Sequence, residues 1–419
     1  VSQGTAPGAG AAIRAPLHSI PSRIDRNEID HARHAPFPKP ASMTMVPTQE
    51  AAGGWLSIDL DAIAANYRTL REAVAPGVRT AAAVKADCYG LGAARVVPVL
   101  EAAGCRNFFV ATLEEGIALR AIAGGEAAIF VLGGPPPGCD AALHAARLVP
   151  VLNSLEQIAA WRALARTYDT ALHAVLQLDS GMSRLGLGAR DVAILAEDGD
   201  SLSGIRPVLV MSHLACADEP AHPANRAQRD TFERLRAQLP PTLASLAASS
   251  GTFLGPDWHY DLIRPGAALY GLNPTPGQPN PMRPVVRLQL RSLQTREIEA
   301  GTAVGYGARF IANRPSRIAT LAAGYADGLF RAAGGRGYAV LPGQEDIRLP
   351  IVGRVSMDCL ALDITALGET PVPPGTAFDL IGPSLPIDDL AAACDTIGYE
   401  VLTALGHRYH RHYRSGDGL

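Results

Sequence analysis

The stretch "AAAVKADCYGLG" (81–92) sets a lysine where an apolar, strand-like run opens into a loop containing glycine. Ala81 to Val84 read as buried, and desolvating an ammonium beside them is costly. A lysine held in such surroundings has its pKa pushed down and becomes a nucleophilic amine able to form a Schiff base. Four more polar groups close or follow apolar runs in the same way. Asp179, Ser183 and Arg184 stand in "LDSGMSRLG" after the run 174–180, and His213 stands in "MSHL" at the end of 208–214. Ser249, Ser250 and Gly251 close 243–249, and "IRPGAALYG" carries Arg264 and Gly266 towards 268–272. The small residues Ser249, Ser250 and Gly251, with Gly266 and Ala267, could offer N–H and hydroxyl groups to a phosphate. An amine, a phosphate cradle and a planar imidazole together point to pyridoxal phosphate (PLP). Singly, each has a plainer reading: a snorkelling lysine, a hydrogen-bonded core histidine, an ordinary loop, a salt-bridged arginine.

Such residues need a scaffold that gathers strand ends. The chain has 419 residues, about half of them apolar, which predicts two domains. A net charge of −3 gives no electrostatic case for nucleic acid or an anionic membrane as partner. The cysteines (88, 105, 139, 216, 359 and 394) form no C-x-x-C pair and no zinc-type spacing, so a reducing cytoplasm and no metal site are expected. No apolar run approaches the roughly 20 residues that span a bilayer. Residues 1–50 lack periodicity and the apolar core of a signal peptide, and read either as a disordered extension or as an artefact upstream of a natural start at Met43 or Met45.

From Trp55 the pattern is regular: a short strand (55–60), then a helix with Ile63, Tyr67, Leu70 and Val74 at helical spacing. Apolar runs follow at 80–86, 108–112, 128–133, 149–153, 174–180, 208–214, 243–249 and 268–272, with amphipathic segments between most of them. This alternation predicts a parallel α/β fold, and eight runs fit a (β/α)₈ TIM-type barrel over 51–285, with a doubly wound sheet as the alternative. After a proline-rich connector (273–284), six strand-type segments and one helix (387–401) predict a mostly β C-terminal domain over 286–419. In a barrel, functional residues occupy the C-terminal ends of strands, and all five polar groups map to that rim. The final "GHRYHRHYR", with His407, His410 and His412, fits a solvated last strand better than a metal site.

These segments resemble bacterial alanine racemase from about residue 55 onward. "AVKADCYGLG" is similar to that family's cofactor-lysine motif, and "LDSGMSRLG", "MSHLACADEP", "IRPGAALYGLNP", "VGYGARF", "GYADG" and "VGRVSMD" follow in the family's order. The resemblance implies a head-to-tail homodimer in which each β domain completes the other subunit's site. It implies Lys85 as the Schiff-base lysine and first base, and Tyr89, Ser249, Gly266, Ala267 and Tyr399 around the phosphate. His213 would lie beside the pyridine ring, Arg264 would face the ring nitrogen, and Arg184 would reach the phenolic oxygen and the substrate carboxylate. Tyr306 of the partner subunit would be the second base, with Met357 offering its N–H to the carboxylate and Tyr325 at the entrance. Racemisation removes the α-proton from one face and returns one to the other, which suits two bases. A phenol titrates near 10, so Tyr306 would need help, and a Tyr306–His213–Arg264 relay could give it. The implied activity is racemisation of alanine, supplying D-alanine for peptidoglycan in the cytoplasm. A broader amino-acid racemase and a non-catalytic PLP carrier are the alternatives. Three positions depart from the family pattern: Leu91 for histidine, Ala248 for asparagine, and Gln177 where a carbamylated lysine is common. A neutral Gln177 cannot supply the anion that would hold Arg184, which predicts no carbamate there and a bound anion nearby.

Overall fold

In the computed structural model, which describes residues 48–416, the first strand does not join those that follow it. β1 (Gly54–Asp59) pairs antiparallel with residues 286–290 and parallel with residues 410–414, in the sheet of the C-terminal half. The strand read at 55–60 as the opening of the barrel region therefore belongs to the second sheet. Most of the segment read as an N-terminal extension, up to residue 47, lies outside the described residues. Gln49 and Glu50 are tied down, their carbonyls accepting hydrogen bonds from Trp55 and Arg291.

The barrel strands are short. β2 (Arg79–Thr80) and β3 (Ala82–Ala83) form one broken strand. β4 (Asn107–Val110), β5 (Ala128–Val131), β6 (Val149–Leu152), β7 (Leu172–Gln177), β8 (Ile205–Met211) and β9 (Ala244–Ser245) add to it in parallel, in sequence order. β10 (Leu262–Ile263) pairs with β2, and Asp261 N and Arg264 N donate to Ala244 O (3.0 Å) and Ala247 O (2.9 Å). Those bonds join β9 to β10 and close the ring, so the sheet is a barrel and not doubly wound. The run 268–272 reads as the eighth strand, but Ala267–Tyr270 is a buried 3₁₀ helix. A short apolar run has no period that separates these two forms. The eighth strand is β10, which places Arg264 and Gly266 just after it, on the same rim as the other candidates.

Alternate residues fill the barrel: Ala81, Ala83, Phe109, Phe130, Val151, Val175, Leu209, Met211 and Leu262, with the Phe109 and Phe130 rings stacked 4.6 Å apart. Side chains cap the outer helices where the sequence allows. Asp59 accepts from Ala62 N (2.7 Å), Thr112 from Glu115 N (3.3 Å) and Ser154 from Gln157 N (3.3 Å).

The second sheet begins with β11 (Val286–Ile298), followed by a hairpin of β12 (Ala303–Val304) and β13 (Phe310–Ile311). Then come β14 (Ser316–Leu321), β15 (Tyr338–Leu341), β16 (Gln344–Val352), β17 (Leu360–Asp363), β18 (Ala377–Ile381) and β19 (His410–Arg414). β11 pairs with β18 through its first half and with β14 through its second, so β14, β17, β16, β15, β18 and β11 form a closed ring. These are the six strand-type segments of the sequence. The single helix read at 387–401 is two, Ile387–Ala393 and Gly398–Ala404, broken where Asp395 takes a φ of 55°.

Asn66, buried on the barrel helix Leu60–Glu72, holds the connector between the two halves. Its Oδ1 accepts from Arg283 N (2.7 Å), and its Nδ2 donates to Arg283 O (3.0 Å) and Leu269 O (3.2 Å). Asn66→Ala leaves three backbone groups without this partner, Leu269 O buried and Arg283 N and O part-buried, a loss of about 1–3 kcal/mol. The midpoint of urea unfolding should fall accordingly with little change in slope; an unmoved midpoint would count against this joint.

Candidate active site

Lysine occurs at two positions in this chain, Lys39 and Lys85, among 37 basic residues. Lys85 is the only lysine among the described residues, half-buried just past β3 at the C-terminal rim. The strand read over 80–86 includes Lys85, but β3 ends at Ala83, short of it. Ala86, Asp87, Cys88 and Tyr89 instead form a left-handed turn, with φ of 52°, 53°, 56° and 57°. Such backbone costs an L-residue about 1–2 kcal/mol, so it must be held from outside. Cys88 N donates to Val84 O (3.0 Å), Gly90 N to Ala86 O (2.7 Å) and Gly92 N to Asp87 O (2.9 Å). The Asp87 carboxylate accepts from Ala93 N (2.7 Å), capping the next helix. The Glu115 carboxylate accepts from Ala86 N (2.8 Å) and Ala111 N (2.7 Å). From the second sheet, Tyr413 Oη donates to Leu91 O (2.9 Å) and Arg411 to Gly90 O.

Around Lys85 the rim is rich in cations. Asp179 Oδ1 accepts from Gly181 N (2.9 Å), Met182 N (3.0 Å) and Ser183 N (3.1 Å), shaping the loop after β7 that presents Arg184. His213 follows β8. Arg264, buried over the barrel core, donates to Ser245 Oγ and Ser212 O (2.6 Å), its Cζ 5.9 Å from the Phe109 ring centre. The two serines are fixed in turn: Ser245 Oγ donates to Leu262 O (2.5 Å) and Ser212 Oγ to Leu178 O (2.8 Å). Burial pulls the Lys85 amine below its usual pKa, the Arg184 charge pulls it further, and Glu115 opposes both. Burial, then the charges of Arg264, Arg184 and Lys85, drive the His213 imidazole down to about 3. Burial draws Arg264 down to about 10, so it stays charged at neutral pH. Glu115, the carboxylate set against this group, is already shared between two backbone N–H groups. Gln177, buried at the end of β7, adds no charge. The pocket therefore demands an anionic ligand.

One side of the pocket offers hydrogen-bond donors. Ser249 Oγ accepts from Gly266 N (3.0 Å) and Ala268 N (3.2 Å), which leaves its own proton free to donate. Ala267 opens a 3₁₀ helix, so its N–H has no acceptor within that helix. The Tyr89 ring lies 4.8 Å from that of Tyr270 and 6.1 Å from that of Tyr399, and Tyr270 Oη donates to Ala83 O (3.0 Å). Tyr399 comes from the helix Gly398–Ala404, so the second domain borders the pocket. A Cβ on Gly266 would stand 2.4 Å from Tyr89 Oη, so this close approach requires glycine. An amine, a donor cluster for phosphate and a guanidinium offering only donors match the aldehyde, phosphate and ring nitrogen of PLP.

Lys85, Tyr89, Arg184, His213, Ser249, Arg264, Gly266, Ala267 and Tyr399 are thus brought to one rim. Tyr306, Tyr325 and Met357 are not. Tyr306 sits on the β12–β13 hairpin between Gly305 and Gly307 and is 68% exposed; Tyr325 is 45% and Met357 53% exposed. The last two share a loop pair: Tyr325 N donates to Ser356 O (3.0 Å) and Ala326 N to Met357 O (3.0 Å). Arg408 locks that pair, bonding buried Asp327 (2.6 and 2.7 Å) and Asp358 (2.7 Å). Glu115, Asp87, Ser212, Ser245 and Tyr270 support the site yet escape sequence reasoning. The available signals were the scarcity of lysine and the spacing Thr112-x-x-Glu115, a capping-box pattern.

A (β/α)₈ barrel with a lysine and a donor-rich pocket on its rim, bordered by a β domain, defines a Schiff-base enzyme of the barrel type. Residues 58–274 match the alanine racemase N-terminal domain and residues 285–413 the alanine racemase C-terminal domain. A catabolic alanine racemase of Mesorhizobium japonicum is 53% identical over 369 residues, 88% of this chain and 95% of that one. The alanine racemase of Rhodospirillum rubrum is 48% identical over 373 residues, 88% and 99% of the two chains. The crystal structure of alanine racemase from Bartonella henselae with covalently bound pyridoxal phosphate superposes with a TM-score of 0.83 at 40% identity, covering 87% of this chain and all of that one. The chain belongs to the alanine racemase family.

Gly266→Ala should push Tyr89 aside and weaken PLP binding about tenfold, the equivalent of about 1.4 kcal/mol of overpacking, with the far-UV circular dichroism unchanged. An unaltered dissociation constant would refute the close-approach argument. His213 gives a pH prediction for the apoprotein. The unfolded chain takes up a proton there below pH about 6.5, whereas the folded chain does so only near 3. Stability falls as pH drops through that window, by up to about 1.4 kcal/mol per unit. His213→Gln should lose less stability than wild type between pH about 6.5 and about 4.5 in urea titrations; equal losses would contradict the buried neutral imidazole.

Proposed function

We propose that this protein is a PLP-dependent alanine racemase that moves the α-hydrogen of alanine between two bases, Lys85 and Tyr306 of the partner subunit. The observation that carries the reading is the placing of the only lysine among the described residues in a pocket of cations and phosphate-type donors. Bound through Lys85, PLP acidifies the α C–H of an amino acid attached to it. The protein supplies the rest. Arg184 pairs with the substrate carboxylate, which fixes the α-carbon against Lys85. His213 stays neutral and packs beside the ring. Arg264 has only donors to offer, so the ring nitrogen facing it stays unprotonated. This weakens the cofactor's pull on electrons and disfavours side reactions such as transamination.

A second base must approach from the face opposite Lys85. The exposure of Tyr306 on its hairpin, and of Tyr325 and Met357 on their paired loops, supports their burial in a second copy of the chain. In the resulting head-to-tail homodimer, each β domain completes the other subunit's pocket, with Met357 N–H on the carboxylate and Tyr325 at the entrance. The enantiomers of alanine are equal in free energy, so one site serves both directions. Supply of D-alanine for peptidoglycan in the cytoplasm then depends on metabolite concentrations and not on residue chemistry.

Purified protein with PLP should form D-alanine from L-alanine; its failure to do so would end this reading. Lys85→Ala and Tyr306→Phe should each be nearly inactive alone. Mixed and allowed to exchange subunits, they should recover about a quarter of wild-type activity, because half the dimers are hybrids with one intact site. No recovery on proven exchange would place both bases in one subunit.

A further inference from the structure

We infer that Glu115 is a positioning residue for Lys85: its carboxylate, shared between Ala86 N–H and Ala111 N–H, fixes the turn that carries the amine and sets an anion against it. The inference rests on Lys85 being the cofactor lysine. Glu115 occupies the third position of the helix Leu113–Arg120, whose cap, Thr112, accepts from Glu115 N at 3.3 Å. A glutamate there ordinarily turns back to the N–H of its own cap. This one reaches further. One oxygen takes Ala111 N–H (2.7 Å), at the end of β4, and the other takes Ala86 N–H (2.8 Å), next to Lys85 just past the neighbouring strand β3.

Ala86 is the first of the four left-handed residues, and its N–H lies beyond the reach of the turn's own carbonyls. The carboxylate therefore caps the turn from another element and ties together the ends of β3 and β4. Geometry and charge act on the same amine. Lys85 is faced by Arg184 from the loop after β7 and by His213 from the end of β8, while Glu115 comes from the helix after β4. Arg264, after β10, adds its charge at His213. Among these groups Glu115 alone is negative, so it favours the protonated amine in the empty pocket. Its neighbour Glu114 is exposed on the same helix and serves as a control.

Two substitutions separate the effects. Glu115→Gln removes the charge and turns one acceptor into a donor facing an N–H. Glu115→Asp keeps the charge but is too short to span both N–H groups. In the full-length apoprotein, labelling of Lys85 with an amine-reactive reagent across pH, read by mass spectrometry, gives the midpoint of amine deprotonation. Glu115→Gln should lower that midpoint by about one unit and weaken PLP binding about tenfold. Glu115→Asp should leave the midpoint near that of wild type and still weaken PLP binding about tenfold. Glu114→Gln should match wild type in both. The inference is overturned if Glu115→Gln moves neither quantity, or if Glu114→Gln moves the midpoint as far. Should Glu115→Gln fail to fold, wild-type PLP affinity in Glu115→Asp overturns it alone. The labelling midpoint is read without cofactor or alanine, so loss of the racemase reading would show separately, as wild type that makes no D-alanine.

Discussion

Four consecutive L-residues at φ near 55° form the constraint on which the rest of this site depends. At about 1–2 kcal/mol each they cost roughly 4–8 kcal/mol, comparable with the whole net stability of a domain. The turn persists because both halves of the chain grip it. Glu115 and Asp87 hold its ends within the barrel, and Arg411 and Tyr413 on β19 hold the loop beyond it. The glycines record how close that grip is. A Cβ at Gly90 would lie 3.0 Å from Leu402 O, and one at Gly92 would lie 2.3 Å from Tyr413 Oη. The β domain is thus part of the lysine's mounting. The course of the chain follows the same logic, since β1 starts in the second sheet and β19 returns beside it. The barrel is inserted between β1 and β11, which are neighbours in that sheet.

A second constraint is electrostatic. Among the described residues no carboxylate bonds buried Arg264, and Lys85 and Arg184 crowd the same rim around a neutral His213. Assembling these charges before a ligand arrives is unfavourable, and an anionic cofactor and substrate relieve it, so binding and stability are linked. The choice of residue matters. Arginine keeps its charge even when burial draws it down, whereas lysine can release its proton. Thirty-seven basic residues with lysine at only two positions show how sharply that distinction is applied. Where a fixed charge is needed the chain uses arginine, and at the rim it keeps one amine.

Much of this was legible in the sequence because strand ends are marked by a change from apolar to polar residues. Lys85, Arg184, His213 and Ser249 stand at such changes, and the barrel gathers them. Arg264 was found for a partly mistaken reason, since the strand it was tied to is a 3₁₀ helix and the true strand precedes it. β1 was not legible as a member of the second sheet, because its partners lie more than two hundred residues away and its own pattern is that of any short strand. Tyr399, Tyr306 and Met357 carry no local signal of function, and only the family resemblance singled them out. Glu115 was hidden by its ordinariness, since acidic residues in a first helical turn are common for dipole reasons alone.

The split between residues gathered on the rim and residues left exposed bears on why the proposed site needs two chains. A chain's own β domain meets its barrel through the helix Gly398–Ala404 and β19, which border the donor-rich side and the lysine loop. Tyr399, Arg411 and Tyr413 all come from that edge. Tyr306, Tyr325 and Met357 lie on different loops, held by the Gly305 and Gly307 hairpin and by the Asp327–Arg408–Asp358 lock. The edge that clamps Lys85 in place is committed to that task. In the proposed mechanism the base for the opposite face of the substrate would therefore arrive on another surface, and the loops tied by Arg408 suit a surface that docks as a unit. On this argument the lysine's own mounting leaves the second base of the proposed mechanism to another surface, which the proposed homodimer would supply.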